Sequence, residues 1–175
     1  MRRILKYFKT ALSVIPLLII IISCSNDDGP IISGAESQLI SYEGCKFTET
    51  DVLLKSNLAP SHQDCIEFRF DSTGVLWLTH VNGAFNCCPS DITADIQISG
   101  NRITITEHEA DAPCDCICLY DLEYRILNLP IASYQVEVIG MYLGDTLPLQ
   151  FEMDLTQSAN GIYCINRDIY PWSTE

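Results

Sequence analysis

The sequence predicts an all-β domain, an antiparallel β-sandwich of about seven or eight strands, fastened by disulfides. Three observations lead there. Apolar and polar residues alternate in short runs, turn-forming residues separate the runs, and no segment sustains a helical period. Eight cysteines in what reads as an exported domain supply the fastening.

The chain opens on an address. Arg2, Arg3, Lys6 and Lys9 precede an apolar run from Val14 to Ile22, closed by Ser23 and Cys24. A membrane-spanning helix needs about 18 or more apolar residues, so residues 1–23 read as a secretory signal peptide. Residues 24–38 are polar and aperiodic, with Asp27, Asp28, Gly29 and Pro30, and read as a tether. A single domain is expected over residues 39–175.

From Leu39 to Leu58 the pattern is irregular, with short strands expected at Cys45-Lys46-Phe47-Thr48 and Asp51-Val52-Leu53-Leu54. Regular alternation begins at Cys65. Ile66, Phe68 and Phe70 alternate with Glu67, Arg69 and Asp71, and Ser72-Thr73-Gly74 breaks the run before Val75 to Val81, which predicts a hairpin. Ile92, Ala94, Ile96 and Ile98 form the next stripe; Gly100-Asn101 turns the chain, and Ile103 and Ile105 continue on the return. The densest signal is Cys114 to Ile126, where alternation puts Cys114, Cys116, Cys118, Tyr120, Leu122, Tyr124 and Ile126 on one face. Strands follow at Tyr134 to Tyr142, at Leu149 to Leu155 and at Ile162 to Ile165, and Tyr170-Pro171-Trp172 is expected to pack as a strap.

Ten basic residues face 23 acidic ones, a formal charge of −13, and four of the basic ones lie in the leader. So acidic a surface repels phosphate backbones and excludes nucleic acid as a partner, while it serves solubility.

With Cys24 set aside, Cys45, Cys65, Cys87, Cys88, Cys114, Cys116, Cys118 and Cys164 remain. An even number in an exported chain predicts disulfides. Adjacent cysteines in an extended chain point to opposite sides, whereas those of Cys-x-Cys-x-Cys point to one side, so neither cluster can close on itself without strain. Cys87 and Cys88 are therefore expected to bond members of the Cys114, Cys116, Cys118 group. Cys45 with Cys65 is the local candidate, and Cys164 is expected to take the third member of the triplet. Zinc or copper(I) on the thiolates is the competing reading, but the spacing lacks the loops of structural zinc sites, and no metal or cofactor is assigned. Thiol exchange is a further alternative; it lacks a Cys-x-x-Cys at a helix N-terminus.

His80 shares a stripe with Leu76 and Leu78 and reads as a satisfied core or rim histidine; His62 and His108 stand in loop-like surroundings. Glu107, Glu109, Asp111 and Asp115 read as a solvated acidic loop before the cysteine strand, with calcium binding as the alternative. No nucleophile, metalloprotease, phosphate-loop or dinucleotide motif occurs, so no catalytic residue is assigned, although paired carboxylates such as Glu107 and Glu109 could serve hydrolysis. Trp77, Tyr142, Tyr170 and Trp172 are the aromatics that could line a ligand face.

Ile21-Ile22-Ser23-Cys24 resembles the lipobox of bacterial lipoproteins, which implies acylation of Cys24 by fatty acids such as palmitate, and the membrane as a partner through that anchor. Ser25 to Pro30 resembles the acidic tag of surface-exposed Bacteroidota lipoproteins. That implies an outer-membrane location facing the surface, with a periplasm-facing one as second choice. Leu122 to Val138 resembles immunoglobulin-like and fibronectin-like repeats, in which a Leu-Pro corner leads into a Tyr-led strand. Phe-Asn-Cys-Cys-Pro at 85–89, followed by the cysteine strand, resembles a group of cysteine-rich Bacteroidota lipoproteins and brings no activity with it. The expected function is a binding or accessory module with a carbohydrate or protein ligand. The competing classes are a carbohydrate-active hydrolase on a β-sandwich and a structural envelope subunit.

Overall fold

In the computed structural model, residues 35–46 and 59–172 are described. Among them nine strands and no helix occur: β1 (Glu36–Lys46), β2 (Gln63–Phe70), β3 (Leu76–Asn86), β4 (Asp91–Ser99), β5 (Arg102–Ala110), β6 (Ile117–Leu127), β7 (Ser133–Ile139), β8 (Leu149–Asp154) and β9 (Asn160–Asn166). They form two sheets, one of five strands in the order β1-β6-β3-β2-β9 and one of four in the order β4-β5-β7-β8. All pairings are antiparallel except β5 with β7, which is parallel because β6 crosses to the other sheet between them. The architecture is the disulfide-fastened sandwich expected, with one or two strands more and one parallel pair.

The stripes read from the sequence face each other across the core. Ile66 and Phe68, Leu76 and Leu78, and Leu122, Tyr124 and Ile126 line the larger sheet; Ile103 and Ile105, Val136 and Val138, and Leu149, Phe151 and Met153 line the smaller one. Each fully buried side chain of this size contributes about 1.5–3 kcal/mol. The hairpin turns use the expected residues. Asp71 accepts hydrogen bonds from the Thr73 and Val75 amides (2.8 and 3.2 Å), and Gly74 takes φ +83°. Gly100 takes φ +54° in the two-residue link between β4 and β5. After Asn128 (φ +57°) the Tyr134 hydroxyl donates to the Pro130 carbonyl at 2.7 Å and holds that corner.

Some elements differ from expectation. β1 begins at Glu36, so 36–38 belong to a strand rather than the tether; an edge strand exposing Glu36, Gln38 and Ile40 carries little alternation to read. β6 begins at Ile117, which leaves Cys114 and Cys116 in the segment before it and only Cys118 on the strand. Glu107 and Glu109 lie on β5 and not in a loop, because β5 runs on to Ala110 opposite Asp91. Strand β7 ends at Ile139, before Gly140. The expected signal peptide, Cys24, most of the expected tether and the strand expected at Asp51 to Leu54 lie outside the described residues.

Close approach requires glycine at several positions, Gly44 and Gly83 among them. A Cβ on Gly44 would sit 2.0 Å from the Tyr120 ring, and one on Gly83 would sit 3.0 Å from the His80 ring. Gly83 closes a bulge in β3 in which Asn82 takes φ +66°. That bulge is tied on every side: the Asn82 side chain donates to the carbonyls of Pro60 and Gln63, its amide donates to Asp121, and its carbonyl accepts from Trp172 Nε1 at 2.8 Å. Lys46 bridges Asn82 and Asp121. The expected C-terminal strap is thereby built, with Trp172 buried against Ala84 and Leu119.

Candidate functional site

The eight cysteines form four disulfides: Cys45–Cys118, Cys65–Cys164, Cys87–Cys116 and Cys88–Cys114. Cys87 and Cys88 bond the triplet as expected. The pairing of Cys45 with Cys65 and the assignment of Cys164 to the triplet are corrected. Strand order explains both: β1 lies beside β6, so Cys45 meets Cys118, and β2 lies beside β9, where Cys65 is directly opposite Cys164. The two bridges from Cys87 and Cys88 clamp the end of β3 to the lead-in of β6. Asn86 braces the clamp, accepting from the Cys88 amide (3.1 Å) and donating to the Cys114 carbonyl (2.6 Å). The sulfurs of Cys87, Cys114 and Cys116 lie within 4.8 Å of one another, but all three are spent in disulfides, and it is the thiolate that ligates metal.

The most densely charged place inside the sandwich surrounds His80. The apolar stripe Leu76-Leu78 of β3 ends in His80; the Ile103-Ile105 stripe of β5 runs on into Glu107; and the Phe68-Ile66 stripe of β2 runs back into Asp64. All three polar residues are buried. His80 Nδ1 lies 2.5 Å from Glu107 Oε1 and its Nε2 lies 2.8 Å from Asp64 Oδ1. A neutral ring can donate to one of these carboxylates only, so the geometry calls for the imidazolium. Burial alone would lower the histidine pKa, but Glu107 and Asp64 outweigh it and push it up to about 10. Asp64 is likewise opposed by burial, yet His80 and Arg167 hold it below its ordinary value.

Arg167 completes the cluster. Its Nε and Nη2 grip Asp64 Oδ2 at 3.0 and 2.7 Å, and its Nη1 donates to Thr146 Oγ1 and the Leu147 carbonyl, tying the β7–β8 loop to the sheet. Tyr124 donates to Glu107 Oε1 at 2.5 Å, and burial together with that carboxylate raises the phenol well above its usual range. Two buried acids thus meet two buried cations.

The expected histidine reading is therefore right in kind, and His80 is fully partnered. Asp64 and Arg167 were not singled out from the sequence; the signal that could have found Asp64 and Glu107 is an acid sitting in phase with an apolar stripe. Glu109 is also held, by the Asn86 amide (2.8 Å) and by the Tyr142 hydroxyl, which this hydrogen bond and burial push up to about 12. Asp111 and Asp115 are exposed, and His108 faces Asp95 at the surface (3.2 Å). Of the four aromatics, Trp172 is buried, Tyr142 is turned onto Glu109, Tyr170 is exposed with its hydroxyl on the Ile117 backbone, and Trp77 lies on the outward face of the larger sheet.

No family model, no curated protein and no solved structure matches this chain.

Proposed function

We propose that the chain is a lipid-anchored protein of the outer membrane, working outside the cytoplasm as a binding or accessory module. The observation that carries this reading is the disulfide inventory. Four bridges among the described residues consume eight of the nine cysteines, and the ninth in the sequence is Cys24, directly after the apolar leader. Such bridges persist in oxidising compartments. A leftover cysteine at that place is the acylation site the lipobox resemblance implies. Changing Cys24→Ala is expected to move the protein from the membrane fraction to the soluble one and to abolish incorporation of labelled palmitate. Full membrane retention of the variant would sink the anchor.

Binding is favoured over hydrolysis because Glu107 and Glu109, the carboxylates best placed by sequence, point into the sandwich and are held by His80, Tyr124, Asn86 and Tyr142. A structural envelope subunit is the second reading, and one observation supports it. Edge strand β9 carries no charged residue and exposes Ile162 and Tyr163, a surface open to strand pairing.

A further inference from the structure

The larger sheet turns one face to the core and the other outward. On the outward face a single row of register-matched residues crosses all five strands. Gln38 of β1 lies opposite Arg125 of β6, Arg125 opposite Trp77 of β3, Trp77 opposite Arg69 of β2, and Arg69 opposite Asn160 of β9. Adjacent strands are about 4.8 Å apart, so the row is about 19 Å long. The guanidinium carbons of Arg69 and Arg125 lie 5.6 and 5.8 Å from the Trp77 ring centroid, and the indole holds both cations in place.

Charge makes the row unusual in this molecule. Among the described residues Lys46, Arg102 and Arg167 each pair with a carboxylate, Arg102 the most loosely at 3.9 Å, whereas Arg69 and Arg125 pair with none. Two arginines without a carboxylate partner therefore share one row of a chain that carries 23 acids. Arg125 Nε is buried without a hydrogen-bond partner. Beside it lies a cavity of about 40 Å³ lined by Glu36, Ser37, Gln38, Arg125 and Leu127, with room for a small polar group.

We propose that this row binds an acidic glycan, with Arg125 and Arg69 taking its carboxylates and Gln38 and Asn160 its hydroxyls. The proposal rests on the binding-module reading and names its ligand class. A guanidinium fork matches a carboxylate bidentately, and the side-chain amides at the two ends both donate and accept, as hydroxyl recognition needs. An extended peptide gains most of its affinity from backbone pairing at a sheet edge, which the middle of a sheet face does not offer. The neighbouring outward row carries Glu67, Thr79, Glu123 and Ser41, so the positive stripe is one residue wide and rejects a broad polyanion such as nucleic acid.

The test is calorimetric titration of the full chain, solubilised in neutral detergent, with oligogalacturonate, with a neutral cello-oligosaccharide and with a polyglutamate peptide. Oligogalacturonate is expected to bind saturably, more weakly as salt rises, and to change the emission of Trp77. Arg69→Met and Arg125→Met should each weaken binding about tenfold with an unchanged melting temperature, and Arg125→Lys, which keeps the charge but loses the fork, should fall between. Failure of oligogalacturonate to bind, equal binding of the neutral oligomer, tighter binding of polyglutamate, or binding indifferent to both arginines would each overturn the proposal. A broad glycan and peptide screen on the same protein separates the two readings. A ligand found there and retained by the Arg69→Met, Arg125→Met double variant leaves the module reading standing and removes this row, whereas a chain that binds nothing loses both.

Discussion

Replacing His80 with alanine is expected to cost about 3–5 kcal/mol of folding stability, the effect of breaking a buried ion pair by removing one partner. The loss leaves Asp64 and Glu107 facing each other inside the sandwich with only Arg167 to offset them. Urea unfolding measures it, as a lowered midpoint at an unchanged slope. The same cluster gives a pH signature. His80 has a folded pKa raised to about 10 from 6.5, so its contribution is fully present below about pH 6.5 and is lost as pH rises toward 10. Wild-type stability should therefore fall across that alkaline window, and His80→Gln, which can still hydrogen-bond but carries no titrating charge, should flatten the fall. Asp64 acts at the other end: its pKa is lowered, so its contribution is present above about pH 4 and is lost as pH falls through the folded value. A wild type and a His80→Gln variant with parallel stability profiles between pH 6.5 and 10 would show that the histidine is neutral in the fold.

Reduction of the disulfides is expected to unfold the domain. The bridges are separated in sequence by 73, 99, 29 and 26 residues. In the chain-entropy model loops of these lengths contribute about 3.5–4.7 kcal/mol each. Losing several exceeds the total stability of about 5–15 kcal/mol that a domain possesses. Removing Cys65–Cys164 alone, by changing both to alanine, should be the most damaging single loss, since it closes the longest loop and holds edge strand β9 to β2. Removing Cys88–Cys114 should be among the mildest, because Cys87–Cys116 already spans nearly the same loop and Cys114 is exposed. Circular dichroism with and without a dithiol reductant reads the first effect, and thermal melts of the double variants read the second. A reduced chain that keeps its sheet signal and cooperative melt would mean that the core alone suffices.

What was legible in the sequence is what depends on local alternation and local turns. The stripe from Cys118 to Ile126 buries the residues it promised, and the hairpins at Ser72-Thr73-Gly74 and Gly100-Asn101 stand where the turn residues put them. Long-range order was not legible, since alternation says which face a residue takes but not which strand lies alongside. Cys45 and Cys65 look like neighbours along the chain, yet they sit on strands separated by β6 and β3. The charged cluster shows the same limit in another form. His80, Asp64 and Glu107 each sit in phase with an apolar stripe, but their meeting depends on two sheets packing face to face, and Arg167 reaches them from beyond the last strand. Glu107 looked like a loop acid because four acids follow one another over nine residues, a pattern that is solvated in most settings.

The most direct test of this account is the disulfide map of the exported protein, taken by non-reducing peptide mass spectrometry after alkylation of free thiols, with electron-transfer fragmentation to separate Cys87 from Cys88 and Cys114 from Cys116. The expected map is Cys45–Cys118, Cys65–Cys164, Cys87–Cys116 and Cys88–Cys114, with no alkylated cysteine among the eight and an acylated Cys24. Recovery of Cys45 bonded to Cys65, or of several alkylated cysteines, would contradict both the strand order and the oxidising compartment on which the functional reading rests.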